Sequence, residues 1–82
     1  GGTKLVIAAD DRTTGAVQSV RAITGVDDAQ VLEGPTLEVT CANDTKMDVL
    51  LELDNAGVEV VNLRTEEASL EDMFVAYTQG GT

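Results

Sequence analysis

The sequence predicts an α+β fold: one antiparallel sheet of four strands, two helices on one of its faces, and a further helix at the C-terminal end. Three observations predict it. Short β-branched runs alternate with stretches of helical spacing in the order β-α-β-β-α-β, then α. Only Gly34-Pro35 separates the second and third strands, which marks a hairpin. The first and fourth strands carry apolar residues on both faces, as strands inside a covered sheet do.

Residues 4–9 form the first strand, with Leu5 and Ile7 on one face and Val6 and Ala8 on the other. Asp10, Asp11, Thr13 and Thr14 then offer helix caps, and Gly15 weakens the first turn. Ala16, Val17, Val20 and Ile23 recur at helical spacing to about Thr24, where Gly25 stops the helix. The second strand takes residues 29–33 and the third residues 36–41. The third alternates, with Leu37, Val39 and Cys41 inward and Thr36, Glu38 and Thr40 outward. Asn43-Asp44 is expected to cap a second helix that runs to about Ala56. Its stripe is Val49, Leu50, Leu53 and Ala56, with Met47 and Leu51 beside it, and Gly57 ends it. Residues 58–63 form the fourth strand, with Val58 and Val60 on one face and Val61 and Leu63 on the other.

The last helix has the best-marked start. Ser69 is an N-cap, Asp72 stands three residues on, and Glu71 and Asp72 put negative charge at the positive end of the helix dipole. Leu70, Met73, Phe74 and Tyr77 make one apolar stripe that holds the chain's only Phe and only Tyr. So short a helix must dock to persist. Right-handed crossovers around the hairpin lead to a ferredoxin-like sandwich of strand order 4-1-3-2 with an extra C-terminal helix. That helix is expected across strands one and four, on the face opposite the other two. Residues 1–3 are expected to be a linker or cloning remnant, residues 4–79 a single α+β domain, and residues 80–82 a flexible tail.

Fifteen acids against five bases give a formal charge of −10. No basic face for a nucleic-acid backbone or an anionic membrane surface can be built from five cations spread along such a chain. The 43% apolar content excludes a disordered chain, and no apolar run approaches a membrane span. The acidity, the scarcity of lysine and the small side chains fit a protein of a very salty cytoplasm; an ordinary acidic domain is the other reading.

Chemistry is mostly excluded. There is no histidine and one cysteine, so neither a Ser/His/Asp nor a Cys/His arrangement can form, nor a Cys-x-x-Cys metal site. No phosphate-binding loop or dinucleotide turn is present. Cys41 shares a strand face with Leu37 and Val39, as a buried inert thiol does. Asp10-Asp11 and Asp27-Asp28 could in principle ligate a hard cation, but they lack calcium-loop spacing, and in a chain this acidic a solvated surface or a helix cap is the better account of them. Asn43-Asp44-Thr45 reads as a helix start before it reads as a glycosylation site. The chain is therefore expected to have no catalytic, metal or cofactor residue, and Ser69, Leu70, Glu71, Asp72, Met73, Phe74 and Tyr77 are its candidate interaction residues.

Those residues carry a resemblance. Ser69-Leu70-Glu71-Asp72-Met73-Phe74 and the close at Thr78-Gln79-Gly80 resemble the tail of ATP-binding subunits of ABC-2-type transporters, the exporters of the daunorubicin and multidrug kind. The layout of the chain from Lys4 to Gly80 is similar to the small domain that follows the ATPase domain there. The resemblance implies a non-catalytic accessory domain on the cytoplasmic side. Its partners would be the ATPase domain of the same parent chain, a second ATPase protomer and a membrane permease, in ATP-driven export. The phosphate loop, signature loop and catalytic Glu of that family have no counterpart here, so ATP and magnesium are expected only in the ATPase domain. The order β-α-β-β-α-β also fits an ACT-like small-molecule sensor, whose ligand would lie near Asp10, Asp11 and Thr13.

The acidic surface makes a first prediction. Thermal melting followed between ~0.05 M and ~2 M KCl should shift upward by several degrees as self-repulsion is screened. A flat or falling melting temperature would leave an ordinary acidic domain.

Overall fold

β1 (Gly2–Ala9) is the strand on which the rest is assembled. The computed structural model describes residues 2–10 and 13–68. In it β1 is followed by α1 (Thr13–Arg21), β2 (Val26–Leu32), β3 (Thr36–Ala42), α2 (Lys46–Asn55) and β4 (Val60–Glu67), with a turn of 3-10 helix at Asn43–Thr45 leading into α2. The sheet runs β2-β3-β1-β4 with every neighbour antiparallel, which is the order expected. β1 therefore lies between β3 and β4.

Alternation decides what β1 buries. Leu5 and Ile7 have no exposed surface and meet Val39 and Leu37 of β3 across the ladder. Ala16 and Val20 of α1 and Val49 and Leu53 of α2 complete the same core, one helical turn apart in each pair. Both helices thus cover the Leu5 face. Val6 and Ala8 point to the other face and are half-buried.

Gly25 is required twice at the turn between α1 and β2. Its φ of 99° lies where side chains are strained, and a Cβ there would collide with the side chain of Thr45. Its carbonyl accepts from the Ala42 N–H at 2.9 Å, tying the start of β2 to the end of β3.

Several boundaries differ from expectation. Gly2 and Thr3, expected outside the fold, belong to β1. Thr3 is buried, and its Oγ1 donates to the Glu66 carbonyl at 3.1 Å. α1 stops at Arg21 rather than near Thr24, because the Ile23 N–H donates to Val20, tightening the last turn. β2 starts three residues earlier, at Val26. Asn43 and Asp44 do not head α2 as its cap. The cap position is Thr45, whose φ of −97° and ψ of −9° are already helical and whose side chain makes no cap bond. Thr40, expected outward, does face away from the helices, yet it is 6% exposed, between Lys4 and Asp28 in the middle of the sheet. Ala56, expected on the buried stripe of α2, is exposed, as the residue just past its last turn.

The largest correction concerns β4. It begins at Val60, not Val58, and continues through Arg64, Thr65, Glu66 and Glu67. A register shift falls between Ala8 and Ala9: Ala9 stands opposite Val60, Ala8 opposite Asn62, and Val61 is the extra residue. Such a bulge reverses the alternation beyond it. Leu63 lies opposite Ile7, on the helix side, while Arg64 and Glu66 lie opposite Val6 and Lys4. The second face of β4 is therefore polar from Asn62 onward, and the expectation of two doubly apolar strands holds for β1 alone. The helix expected after Ser69, and the cover it was to give, lie outside the described residues.

The burial pattern separates two leucines. Leu5→Ala should cost about 2–5 kcal/mol, a large share of the stability of a domain this small, whereas Leu51→Ala, 57% exposed on α2, should stay within about 0.5 kcal/mol. Urea unfolding of the two variants measures the difference.

Candidate functional site

The described residues hold three places where chemistry or recognition can occur: the thiol of Cys41, the loop end of the sheet around Asp10 and Thr13, and the outer side of β4.

Cys41 is fully buried on β3 opposite Val26 and Thr3. Burial pushes its thiol above the ordinary value. Asp27 and Asp44 push the same way, and Lys46 opposes them. A thiol held protonated and out of solvent is neither a nucleophile nor a metal ligand.

At the loop end, Asp10 joins the end of β1 to the approach of β4. Its N–H donates to the Glu59 carbonyl at 3.1 Å, and its Oδ2 accepts from the Glu59 N–H at 3.3 Å. That pairing gives Asp10 a structural task, whereas Asp11 lies outside the described residues. Asp27 is the exposed residue of an irregularity in β2, and Asp28 stands opposite Thr40. Among the described residues no group of three or more His, Cys, Asp or Glu is placed to hold a metal ion. An open hollow of about 300 Å³ lies between the first turn of α1 and the β2–β3 turn, lined by Thr13, Thr14, Gly34 and Pro35. The Pro35 carbonyl accepts from the Ala9 N–H at 3.1 Å, which holds the hairpin turn against the end of β1.

The outer side of β4 was not singled out in the sequence. Arg64 directs Nε and a terminal nitrogen, 3.0 and 2.9 Å away, to the same Oε2 of Glu66, on the face away from the helices. Val61 is 74% exposed at the bulge, and Met47 and Leu51 are exposed one turn apart on the outer side of α2. Glutamates have little preference for strands, so nothing in the run Arg64-Thr65-Glu66-Glu67 marked a strand. The one available signal was the alternation of Leu63 and Thr65 with Arg64 and Glu66.

Ser69, Leu70, Glu71, Asp72, Met73, Phe74 and Tyr77 lie outside the described residues. The chain reaches them from Ala68, whose N–H donates to the Gly2 carbonyl at 3.3 Å. No helix among the described residues is long and apolar enough to cross a membrane. A scan against protein-family models and a search of curated proteins each return no match.

The buried thiol gives a pH prediction. The unfolded thiol ionises first, near pH ~8.5, while the folded one stays protonated, so stability should fall as pH rises above that value. Below it the thiol contributes no slope. Cys41→Ala should remove that part of the alkaline decline, read by urea midpoints from pH ~7 to ~10. A thiol reagent should label native Cys41 only as fast as the chain opens.

Proposed function

We propose that this chain is a non-catalytic accessory domain of the ATP-binding subunit of an ABC-2-type transporter, contributing protein contacts to ATP-driven export. The observation that carries the reading is the run Ser69-Leu70-Glu71-Asp72-Met73-Phe74, which resembles the closing signature of that family position by position. The four-stranded antiparallel sheet with two helices on one face supports it, since the last strand delivers the chain to Ser69 directly after Ala68. In this reading the sheet and its helices are a ferredoxin-like sandwich. The extra C-terminal helix sits against Val6 and Ala8, with Phe74 and Tyr77 as its anchors. The domain acts at the cytoplasmic face by docking to the ATPase domain of its parent chain, to a second ATPase protomer or to the permease. ATP and magnesium belong to the ATPase domain.

A second reading has one observation in its favour. The hollow beside Thr13 and Thr14 lies where an ACT-like sensor would hold a small molecule, and its volume is at the lower end of ligand sites.

Removing these residues from the parent ATPase separates the two. The accessory-domain reading expects ATP turnover, oligomeric state or permease binding to change on deletion, with no small metabolite moving the NMR signals of Thr13–Gly15. Unchanged behaviour on all three counts defeats it. Saturable shifts confined to Thr13, Thr14 and Gly34 on adding an amino acid would favour the sensor.

A further inference from the structure

The two edges of the sheet are treated differently. On β2, the Ala29 carbonyl accepts from Arg21 Nε at 2.8 Å, and the strand is irregular between Val26 and Asp28. A side chain over the backbone and a bulge are both devices that keep another strand away. β4 has its irregularity at Val61, and from Asn62 to Glu67 it pairs with β1 without interruption. No further strand lies beyond it among the described residues.

The hydrogen bonds of this ladder fix which backbone groups of β4 face outward. The Ala68 N–H donates to Gly2, so Ala68 and Gly2 form a hydrogen-bonded pair, and such pairs alternate along an antiparallel ladder. Glu66, Arg64 and Asn62 then turn their backbone groups toward β1. Leu63, Thr65 and Glu67 turn theirs to the open edge.

We propose that this edge pairs with the same edge of a second copy of the chain, antiparallel, with Thr65 on the two-fold axis. Charge selects the register. Outward backbone groups must meet outward ones, so the axis falls on a residue, and inside the regular stretch from Asn62 to Glu67 that residue is Leu63, Arg64, Thr65 or Glu66. An axis at Arg64 or at Glu66 sets like charges opposite each other. An axis at Leu63 sets Glu66 against Val60 and Thr65 against the bulged Val61. With the axis at Thr65, Arg64 of each copy stands opposite Glu66 of the other, twice, in pairs whose side chains approach most closely. Leu63 and Glu67 then exchange backbone hydrogen bonds with the other copy's Glu67 and Leu63. The result is one continuous sheet, four strands from each copy, with all helices on the same side. The ion pairs set the register and the backbone bonds hold it. Two chains of charge −10 repel, so the association needs salt, and a short strand contact is weak unless the copies are held near each other. The role of the contact, joining two ATPase protomers, rests on the accessory-domain reading; its geometry does not.

Light scattering and disulfide trapping test it on the full 82-residue chain at submillimolar concentration. The mass should be that of one chain at ~0.05 M KCl and approach two chains at ~2 M. Thr65→Pro removes an outward N–H without touching the bonds to β1, and should leave the chain monomeric at both salts. Under mild oxidation at high salt, Thr65→Cys should cross-link to itself and Leu63→Cys should not, since only the axial pair brings the two Cα atoms within disulfide reach. This arm stands even if Thr65→Pro fails to fold. A monomer at every salt, cross-linking equal at the two positions, or a dimer indifferent to Thr65→Pro overturns the proposal. A chain that dimerises as described, but whose deletion leaves the parent ATPase unchanged, faults the functional reading alone.

Discussion

The molecule depends on β1 being paired on both sides while its helix-side face stays dry. Leu5 and Ile7 are the two side chains that both requirements meet in: each is fully buried, each has a β3 partner, and each has a β4 partner across the ladder. A strand with two neighbours has no free backbone edge, so its hydrogen bonds are satisfied whatever the surface does. The helices then need only cover the two side chains that alternation presents. Val20, Val49 and Leu53 do this, and none of the three has any exposed surface. A core of this size leaves a thin margin, and a defect in β1 reaches both halves of the sheet at once.

The far strand is coupled to this core more loosely. Within the sheet β4 pairs with β1 alone, and its helix-side residues Leu63, Thr65 and Glu67 remain exposed. The bulge at Val61 is what makes this tolerable. Val58 and Val60 enter on the phase that packs against the core, and the extra residue then shifts the strand by one position. Without that shift the polar Asn62, Arg64 and Glu66 would face the helices. One irregular residue lets a greasy beginning and a charged end belong to the same strand.

That residue also marks where the sequence stopped being readable. Period and punctuation revealed the order of the described elements, the strand order, the hairpin at Gly34-Pro35, the buried faces of β1, β3 and α1, and Val49 and Leu53 of α2, because each rests on a spacing of two or of three to four. A bulge is a break in spacing. Reading residues 58–63 as one unbroken alternation gave Leu63 the wrong face and ended β4 four residues early, where the glutamates begin. The cap expected at Asn43-Asp44 failed for a related reason. A turn of 3-10 helix occupies that position, and the residue that finally precedes α2 is already in helical conformation. Thr3 was hidden because its partner, the Glu66 carbonyl, is sixty-three residues away. As for function, the candidate residues legible in sequence fall in the run from Ser69 to Tyr77, while the edge of β4 became visible only once Ala68 was seen to bond to Gly2.

The side chains that most often carry chemistry are scarce in this chain. It has no histidine, and its single thiol is buried and held protonated by its surroundings. Among the described residues no carboxylate is buried. The features that are left without partners inside the described fold are instead features of shape: a regular strand edge at one side of the sheet, and the exposed pair Met47 and Leu51 on α2. Shape of this kind works by contact. The strong negative charge then has a consistent meaning, since it keeps chains apart at low salt and allows a backbone-led contact to form when the surrounding ions screen it. A contact governed this way responds to ionic strength and to proximity more than to side-chain chemistry.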